Sequence, residues 1–223
     1  MRAVTPESVA ARAVVPPDHV LKLKSALEKR GIGLVYLSDG AAALRYVLEQ
    51  IPRGAAVMSG GSETLRTIGL EEALASGDYD YLRPKVKAHA DPEARLRARR
   101  RASGADYFVG GINAVSLTGE IVNADGSGNR VAAYAFSAGR VLLVAGVNKI
   151  EADLASAMNR LRNRAAVGEC RRLGKNTPCA LTGSCDNYNC HAPDRQCGKV
   201  LIIENEKIPG RITVVMIGEE LGY

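Results

Sequence analysis

Residues 55–68 read AAVMSGGSETLRTI, and this stretch decides the fold class. Its first four residues form a compact apolar run, which is typical of a buried strand. Ser59-Gly60-Gly61-Ser62 then breaks the strand, and Leu65 and Ile68 follow at helical spacing. A strand, a glycine turn and a helix in this order predict one unit of an α/β sheet.

The same alternation continues on both sides of this unit. Upstream, Asp18 can cap a helix that precedes an apolar run at residues 32–37, and Ser38 or Asp39 can cap the next helix. Downstream, Asp91 with Pro92 predicts the start of an arginine-rich helix. Further strands are expected at residues 79–82, 107–109, 114–118, 121–122, 141–147, 200–203 and 212–217. The pattern predicts an α/β fold with a mostly parallel sheet and helices on both faces.

The chain of 223 residues and 23.7 kDa has the length of one domain. Residues 1–17 are weakly patterned and end in two prolines, so we expect an N-terminal arm followed by one domain at 18–223. Within that domain, residues 168–198 contain every cysteine and little hydrophobic periodicity. This segment is expected to be irregular, a cysteine-containing extension near the C-terminal end.

Composition excludes several classes of protein. Hydrophobic residues make up 46% and charged residues 24%, values near the globular average, which excludes a wholly disordered chain. No apolar run approaches the roughly 20 residues of a membrane span, and the first residues lack the apolar region of a signal peptide. We therefore expect a cytoplasmic protein without a membrane partner.

The net charge of +6 is concentrated in two segments, 95–101 and 160–175. Each has a net charge of +5, so the remainder of the chain is mildly acidic. The first segment is expected to be a solvated helix. With no Trp and two Phe in the chain, a base-stacking surface is poorly supplied, so we expect no specific nucleic-acid site.

The turn Gly60-Gly61-Ser62 is the first candidate site. At the junction of a strand and a helix, free amides and small residues allow a phosphate or carboxylate to approach the backbone. A tight turn with Ser62 as helix cap explains the same residues without a ligand. The turn matches neither a Walker loop, because no lysine follows, nor the dinucleotide fingerprint.

A second candidate group follows the later strands. Polar residues just beyond the carboxyl ends of parallel strands face the ligand crevice, and Asn148 and Lys149 directly follow the strand at 141–147. Lys149 is suited to pair with an anionic small molecule, and Glu120 is the candidate base or nucleophile. Any one of these positions can also be structural, since Asn is a common turn residue. The remaining candidates are Asn113, Thr118 and Asn129.

The cysteines form the third group. Cys179, Cys185, Cys190 and Cys197 follow the spacing C-x5-C-x4-C-x6-C, and Cys170 and His191 are further candidate ligands. Thiolates suit Zn²⁺ or an iron–sulfur cluster, and a metal would order a segment that cannot build its own core. Free cysteines packed as small hydrophobic residues, or paired in disulfides, remain alternatives.

Several motifs in order resemble the LUD-domain family of lactate utilization proteins. They are SGGSETLRTIGL at 59–70, ADYFVGGINAVSLTGEIVNADGSGNRVAA at 105–133, VLLVAGVNKIEADLASAMNR at 141–160, and TPCALTGSCDNYNC at 177–190. The resemblance spans about residues 20–220. It implies a fold similar to the sugar-phosphate isomerase and coenzyme A transferase group.

The resemblance also implies a function. Family members are associated with oxidation of L-lactate to pyruvate, beside iron–sulfur subunits that transfer electrons. The resemblance places Gly60, Gly61 and Ser62 at an anion-binding loop. It places Asn148 and Lys149 at the rim of the ligand crevice. Four further residues are implied to lie within the crevice: Asn113, Thr118, Gly119 and Asn129.

Three functions are therefore compatible with the sequence. The first is a subunit or accessory protein in organic-acid oxidation, and the second is a stand-alone sugar-phosphate isomerase or acyl transferase. The third is a non-enzymatic metal or redox module built on the cysteines. The sequence contains no recognised nicotinamide or flavin motif, so whether the isolated chain is an enzyme stays open.

Overall fold

The computed structural model describes residues 15–223. The expected N-terminal arm at 1–17 lies outside the described residues except for its last three, which form neither helix nor strand. No helix within 15–223 combines the length and apolar character needed to cross a bilayer.

The main sheet has six strands, all parallel. This confirms the expected α/β fold class with a mostly parallel sheet. Across the sheet the strands lie in the order β1 (Gly33–Leu37), β10 (Ile212–Ile217), β7 (Arg140–Gly146), β4 (Tyr107–Gly111), β2 (Ala56–Ser59) and β3 (Asp80–Tyr81).

A second, smaller sheet packs beside the main one. Its four strands lie in the order β8 (Ile150–Glu151), β5 (Ala114–Ser116), β6 (Ile121–Asp125) and β9 (Lys199–Ile203). We expected the strand at 200–203 to return to the main sheet together with β10. Only β10 does so, because β9 pairs antiparallel with β6 along its whole length.

Helices cover both faces of the main sheet, as expected. They are α1 (Asp18–Lys29), α2 (Gly40–Gln50), α3 (Glu63–Thr67), α4 (Leu70–Leu74), α5 (Leu82–Ala88), α6 (Pro92–Ala102), α7 (Asn129–Ala132), α8 (Leu154–Arg160), α9 (Ala166–Arg172) and α10 (Pro178–Thr182). Successive strand residues point to opposite faces of the sheet, so the fold has two cores, one on each face. Phe108 of β4 packs in the core that contains Leu23 of α1, and Val109 packs in the core that contains Val47 of α2.

Capping residues set several helix starts. Asp39 accepts a hydrogen bond from the Ala42 amide at 2.8 Å, and Asp91 accepts one from the Ala94 amide at 2.7 Å. The start of α1 differs from expectation, since Pro17 is the N-cap and Asp18 lies inside the first turn without capping it. There the carboxylate still faces the positive end of the helix dipole.

Two helical segments differ from the sequence-based expectation. Helix α5 was not predicted. Its Pro84 lies in the first turn, where no intrahelical amide is needed, so the proline is compatible with the helix. The segment expected to be irregular from 168 onward instead begins within α9, which continues to Arg172. Gly168 lies inside this helix, and the absence of a Cβ there leaves room for the Tyr223 ring to pack against α9.

Two glycines at the end of β4 permit close packing on both faces. A Cβ on Gly110 would collide with the Tyr134 hydroxyl, which donates a hydrogen bond to the Gly111 carbonyl at 3.1 Å. The Tyr134 ring packs edge-to-face on Phe108, with ring centroids 5.7 Å apart. On the opposite face, a Cβ on Gly111 would lie 2.6 Å from the Ser62 hydroxyl oxygen.

We expect Gly110→Ala to lower the free energy of unfolding by about 1–3 kcal/mol or more, since the added methyl overpacks against buried Tyr134. Urea denaturation measures this change. Gly198→Ala is the matched control, because Gly198 has open space around its Cβ and an ordinary φ. Equal effects from the two substitutions would contradict this account of the Tyr134 packing.

Candidate functional site

A cavity of about 410 Å³ opens at the carboxyl ends of β2, β4 and β7. The loop at Gly60 follows β2, Asn113 lies just beyond β4, and Lys149 lies just beyond β7. In an open parallel sheet, this is the edge at which ligands bind. The volume lies within the usual range for small-molecule sites.

The structure brings together six of the ten residues named as ligand-binding or catalytic candidates and separates the others from them. Four do not line the cavity: Asn148, Thr118, Gly119 and Glu120. Those that line it are Gly60, Gly61, Ser62, Asn113, Asn129 and Lys149.

Glu120 lies in a different network, near the end of α1. Its carboxylate forms an ion pair with Arg30 and accepts hydrogen bonds from Ser116 and Thr118. Although partial burial acts in the opposite direction, these hydrogen bonds and the Arg30 charge hold the pKa of the Glu120 carboxyl below its usual value. A carboxylate held in this way stabilises the turn and is poorly suited to be the base of the cavity.

The Gly60 loop is shaped by its neighbours. A Cβ on Gly60 would lie 2.9 Å from Cδ of Arg130, so glycine allows this arginine to cross the loop. The Ser62 hydroxyl caps α3 by accepting from the Leu65 amide at 3.4 Å. Since α3 has only five residues, its dipole is small, and the positive potential of the cavity must come from side chains.

Five cationic side chains line the cavity: Arg83, Lys87, Arg99, Arg130 and Lys149. Within the described part of the chain, Lys87 and Arg99 form no ion pair. Sequence reasoning missed Arg83 and Lys87 because it missed α5, and it assigned Arg99 to a solvated helix. Val86 and Lys87 lie three and four residues after Arg83, and this spacing would have been the signal for one side of a short helix.

The carboxylates at the cavity already have partners. Glu63 pairs with Arg66, and Glu169 pairs with Arg172. Asp125 accepts from the Ser127 amide at 3.0 Å and from the Arg130 amide at 2.9 Å. The lining therefore offers more positive than negative charge to a bound molecule.

Lys149 is the most perturbed basic residue of the cavity. It is only 5% exposed, and its Nζ donates a hydrogen bond to the main-chain oxygen of Tyr223. Burial, reinforced by the positive charges of Arg160, Arg130 and Arg164, lowers the pKa of Lys149 to about 7. The amine is therefore protonated in only part of the molecules at neutral pH.

Arg160 holds the surrounding loops in place. Its Nε donates to the Asn148 carbonyl at 2.9 Å, and its Nη1 donates to Asn113 and Tyr223 oxygens at 2.8 and 2.9 Å. Asn148 has a positioning role, because its amide group bonds to Gly222 and Leu221 of the C-terminal segment. Tyr223, at the end of that segment, lines the cavity.

A second, much smaller void lies among the cysteines. Cys179, Cys185, Cys190 and Cys197 all line it, whereas the candidates Cys170 and His191 do not. Cys170 instead packs beside Val167 and Cys179. All five thiols are free. Among residues 15–223, no group of three His, Cys, Asp or Glu side chains is arranged to hold a metal ion.

We expect the Lys149 amine to titrate near pH 7, about three units below an ordinary lysine, because burial and three arginines disfavour its charge. The measurement is an NMR titration of the lysine Cε and Nζ signals. Lys149→Met serves as assignment control, since it must remove the signal that moves near pH 7. A Lys149 signal that stays constant up to about pH 9 would contradict the expected burial effect.

The fold has known counterparts. A DUF162 family protein from Deinococcus radiodurans superposes with a TM-score of 0.51 at 12% identity, over 90% of this chain and 97% of that one. A ribose 5-phosphate isomerase A from Neisseria gonorrhoeae matches 52% of this chain and 53% of that one, with a TM-score of 0.33 at 16% identity. A D-ribose-5-phosphate isomerase in complex with phospho-erythronic acid gives 0.34 at 17%, over 52% and 54%.

No curated protein shows significant similarity to the sequence. A family model described as "LUD domain" matches residues 20–217, which is most of the chain and includes every strand of both sheets. The resemblance seen in the motifs is therefore confirmed, and the chain belongs to the LUD domain family, a lactate-utilization type of protein.

Proposed function

We propose that the protein binds a small organic anion in the 410 Å³ cavity, as a subunit or accessory protein in the oxidation of L-lactate to pyruvate. The observation that carries this proposal is the charge of the cavity lining. Five cationic side chains meet three carboxylates, and all three carboxylates already accept from other groups. A carboxylate ligand would supply the missing negative charge.

The cations of the cavity would have two different roles. Arg130 is fixed, because its Nη2 donates to the Ala124 carbonyl at 2.5 Å and its side chain crosses Gly60. Lys87 and Arg99 make no ion pair among the described residues, so their charges are available to a ligand. Together they would orient the anion between the Gly60 loop and Lys149.

Oxidation of L-lactate to pyruvate releases two electrons and two protons, so an electron acceptor outside this chain would have to take up the electrons while the protons pass to solvent. The sequence has no recognised nicotinamide or flavin motif, and so the proposed role includes an iron–sulfur partner that takes the electrons. In this arrangement the chain contributes anion binding and the positioning of the substrate.

A second candidate function is a stand-alone enzyme for a phosphorylated or acyl substrate. The favouring observation is that the cavity is larger, and richer in cations, than one lactate molecule requires. Lys149, with a pKa of about 7, would be its base in place of Glu120, which lies outside the cavity.

We expect Arg99→Gln to weaken anion binding about tenfold or more, which is the value of one lost charge-assisted hydrogen bond. Isothermal titration calorimetry with pyruvate, L-lactate and ribose 5-phosphate measures the affinities. Arg97→Gln is the matched control: it removes the same charge from the same helix, but Arg97 does not line the cavity.

The ligand series separates the two functions. Binding of pyruvate or L-lactate supports the first, whereas selective binding and turnover of ribose 5-phosphate support the second. Affinity should fall from about pH 6 to about pH 8 as Lys149 loses its proton, because an anion binds the protonated amine more strongly. Equal binding by the Arg99→Gln and Arg97→Gln variants would place the anion elsewhere and contradict both functions.

A further inference from the structure

We propose that Lys149 is the nucleophile of the cavity and that it condenses with the ketone of a small 2-oxo acid to form a Schiff base. The inference rests on the proposed anion site, and it adds the class of ligand and a covalent step to that site. Its basis is the position of a buried primary amine on the wall of a cavity that is rich in cations. Lysine amines are the groups with which enzymes form Schiff bases to carbonyl substrates.

The backbone that carries Lys149 is held on two sides. Lys149 ends a single 3-10 turn at 147–149, directly after β7. The carbonyl of the preceding Asn148 accepts from Nε of Arg160 at 2.9 Å, and the Asn148 side chain bonds to the main chain at 221–222. The amine therefore has a fixed support, which a nucleophile needs in order to meet a carbonyl carbon in the right geometry.

The immediate surroundings of the amine leave its lone pair available. Nζ donates a hydrogen bond to the main-chain oxygen of Tyr223, and this bond uses an N–H, not the lone pair. Gly222 leaves space beside the amine, because a Cβ at that position would lie 3.3 Å from Nζ. Within residues 15–223, no carboxylate side chain forms an ion pair with Lys149, so no such pair holds it in the unreactive ammonium form.

Positive charges around Lys149 also favour the free amine. Arg130 of α7, Arg160 of α8 and Arg164 disfavour the ammonium form, and burial acts in the same direction, so that the pKa of Lys149 falls to about 7. The two glutamates of the lining are paired with arginines of their own helices. A large part of the molecules therefore carries the free amine at neutral pH, and desolvation beside cations is an established way to activate a lysine for Schiff-base formation.

The cations of the lining select the kind of carbonyl compound. Lys87 and Arg99 make no ion pair among the described residues, so they are available to a carboxylate. In a 2-oxo acid the ketone carbon is bonded directly to the carboxylate carbon, so an anchored carboxylate keeps the ketone within the cavity. A 2-hydroxy acid such as L-lactate has the same anchor but no carbonyl, and it cannot condense with an amine.

The step is a condensation that needs no oxidant or reductant. The lone pair of Nζ adds to the ketone carbon, and the π electrons of the C=O bond move to the oxygen, which is protonated to give a carbinolamine. The C–O bond then breaks and the oxygen leaves as water, while the nitrogen lone pair forms the C=N bond. The hydrogens of the released water are balanced by those that the amine loses.

The test is to incubate the full chain with pyruvate and sodium cyanoborohydride, which reduces the C=N bond to a stable secondary amine. Intact mass and a peptide map then give the number and the position of the adducts. We expect a single pyruvate-derived group per chain, located on Lys149, with labelling that saturates as the pyruvate concentration increases. The same treatment with L-lactate should leave the mass unchanged.

Lys149→Met should lose the adduct. Lys85→Met is the matched control, since Lys85 is an exposed lysine of α5 that pairs with Asp80 and does not line the cavity. The control variant should be labelled on Lys149 as strongly as the wild type. The peptide map of the wild-type chain decides the matter should Lys149→Met fail to fold, because it identifies the labelled lysine without any substitution.

Calorimetry with pyruvate distinguishes this inference from the anion site on which it rests. Binding of pyruvate without an adduct on Lys149 overturns the Schiff base and leaves the anion site in place. Absence of both binding and adduct overturns the two together. Adducts spread over several lysines, or an adduct retained by Lys149→Met, would show that exposed amines react and would also overturn the proposal.

Discussion

The buried guanidinium of Arg160 is the interaction on which the arrangement of the cavity depends. It joins three segments that are distant in the sequence by donating to the oxygens of Asn113, Asn148 and Tyr223. Its Nε and Nη1 have acceptors, whereas the buried Nη2 has no hydrogen-bond partner among the described residues. Breaking a network around a buried charge typically costs about 3–5 kcal/mol. The loops after β4 and β7 are therefore held at a fixed distance from the C-terminal segment.

The same charge also determines the chemistry of its neighbour. Arg160 fixes the loop that contains Lys149, and its positive charge helps to lower the pKa of the lysine amine. Glu151 lies 3.5 Å from Nε of Arg160 and offsets only part of that charge. The architecture thus couples the shape of the cavity to the protonation of its most buried base, and a ligand that adds negative charge would favour the protonated amine.

Much of the fold could be predicted because its signals are local. The apolar runs of β2 and β7, the Asp39 cap and the pair Asp91-Pro92 each depend on a few adjacent residues. Which sheet a strand joins is not a local property. Strands β9 and β10 are separated by the eight residues 204–211 and both are apolar, yet they pair with different partners.

In the candidate site too, the residues at strand ends could be predicted from the sequence, whereas those positioned by tertiary packing could not. Gly60, Asn113 and Lys149 could be placed together because parallel strands end at one edge of their sheet. Thr118 and Glu120 follow a strand of the smaller sheet, so the same reasoning does not apply to them. Arg83 and Arg99 come from helices whose rotation relative to the sheet is set by packing, which a motif search cannot reveal.

The strand order has a consequence for how the chain is made. Strand β10 lies between β1 and β7, so Val35 finds its partner Val215 only after 180 further residues have been synthesised. Until then the segment from α1 to α2 has no place in the main sheet, although its apolar side chains have already left the ribosome. Folding must finish after translation of β10, and chaperones that bind exposed apolar segments are expected to act on residues 18–50 before then.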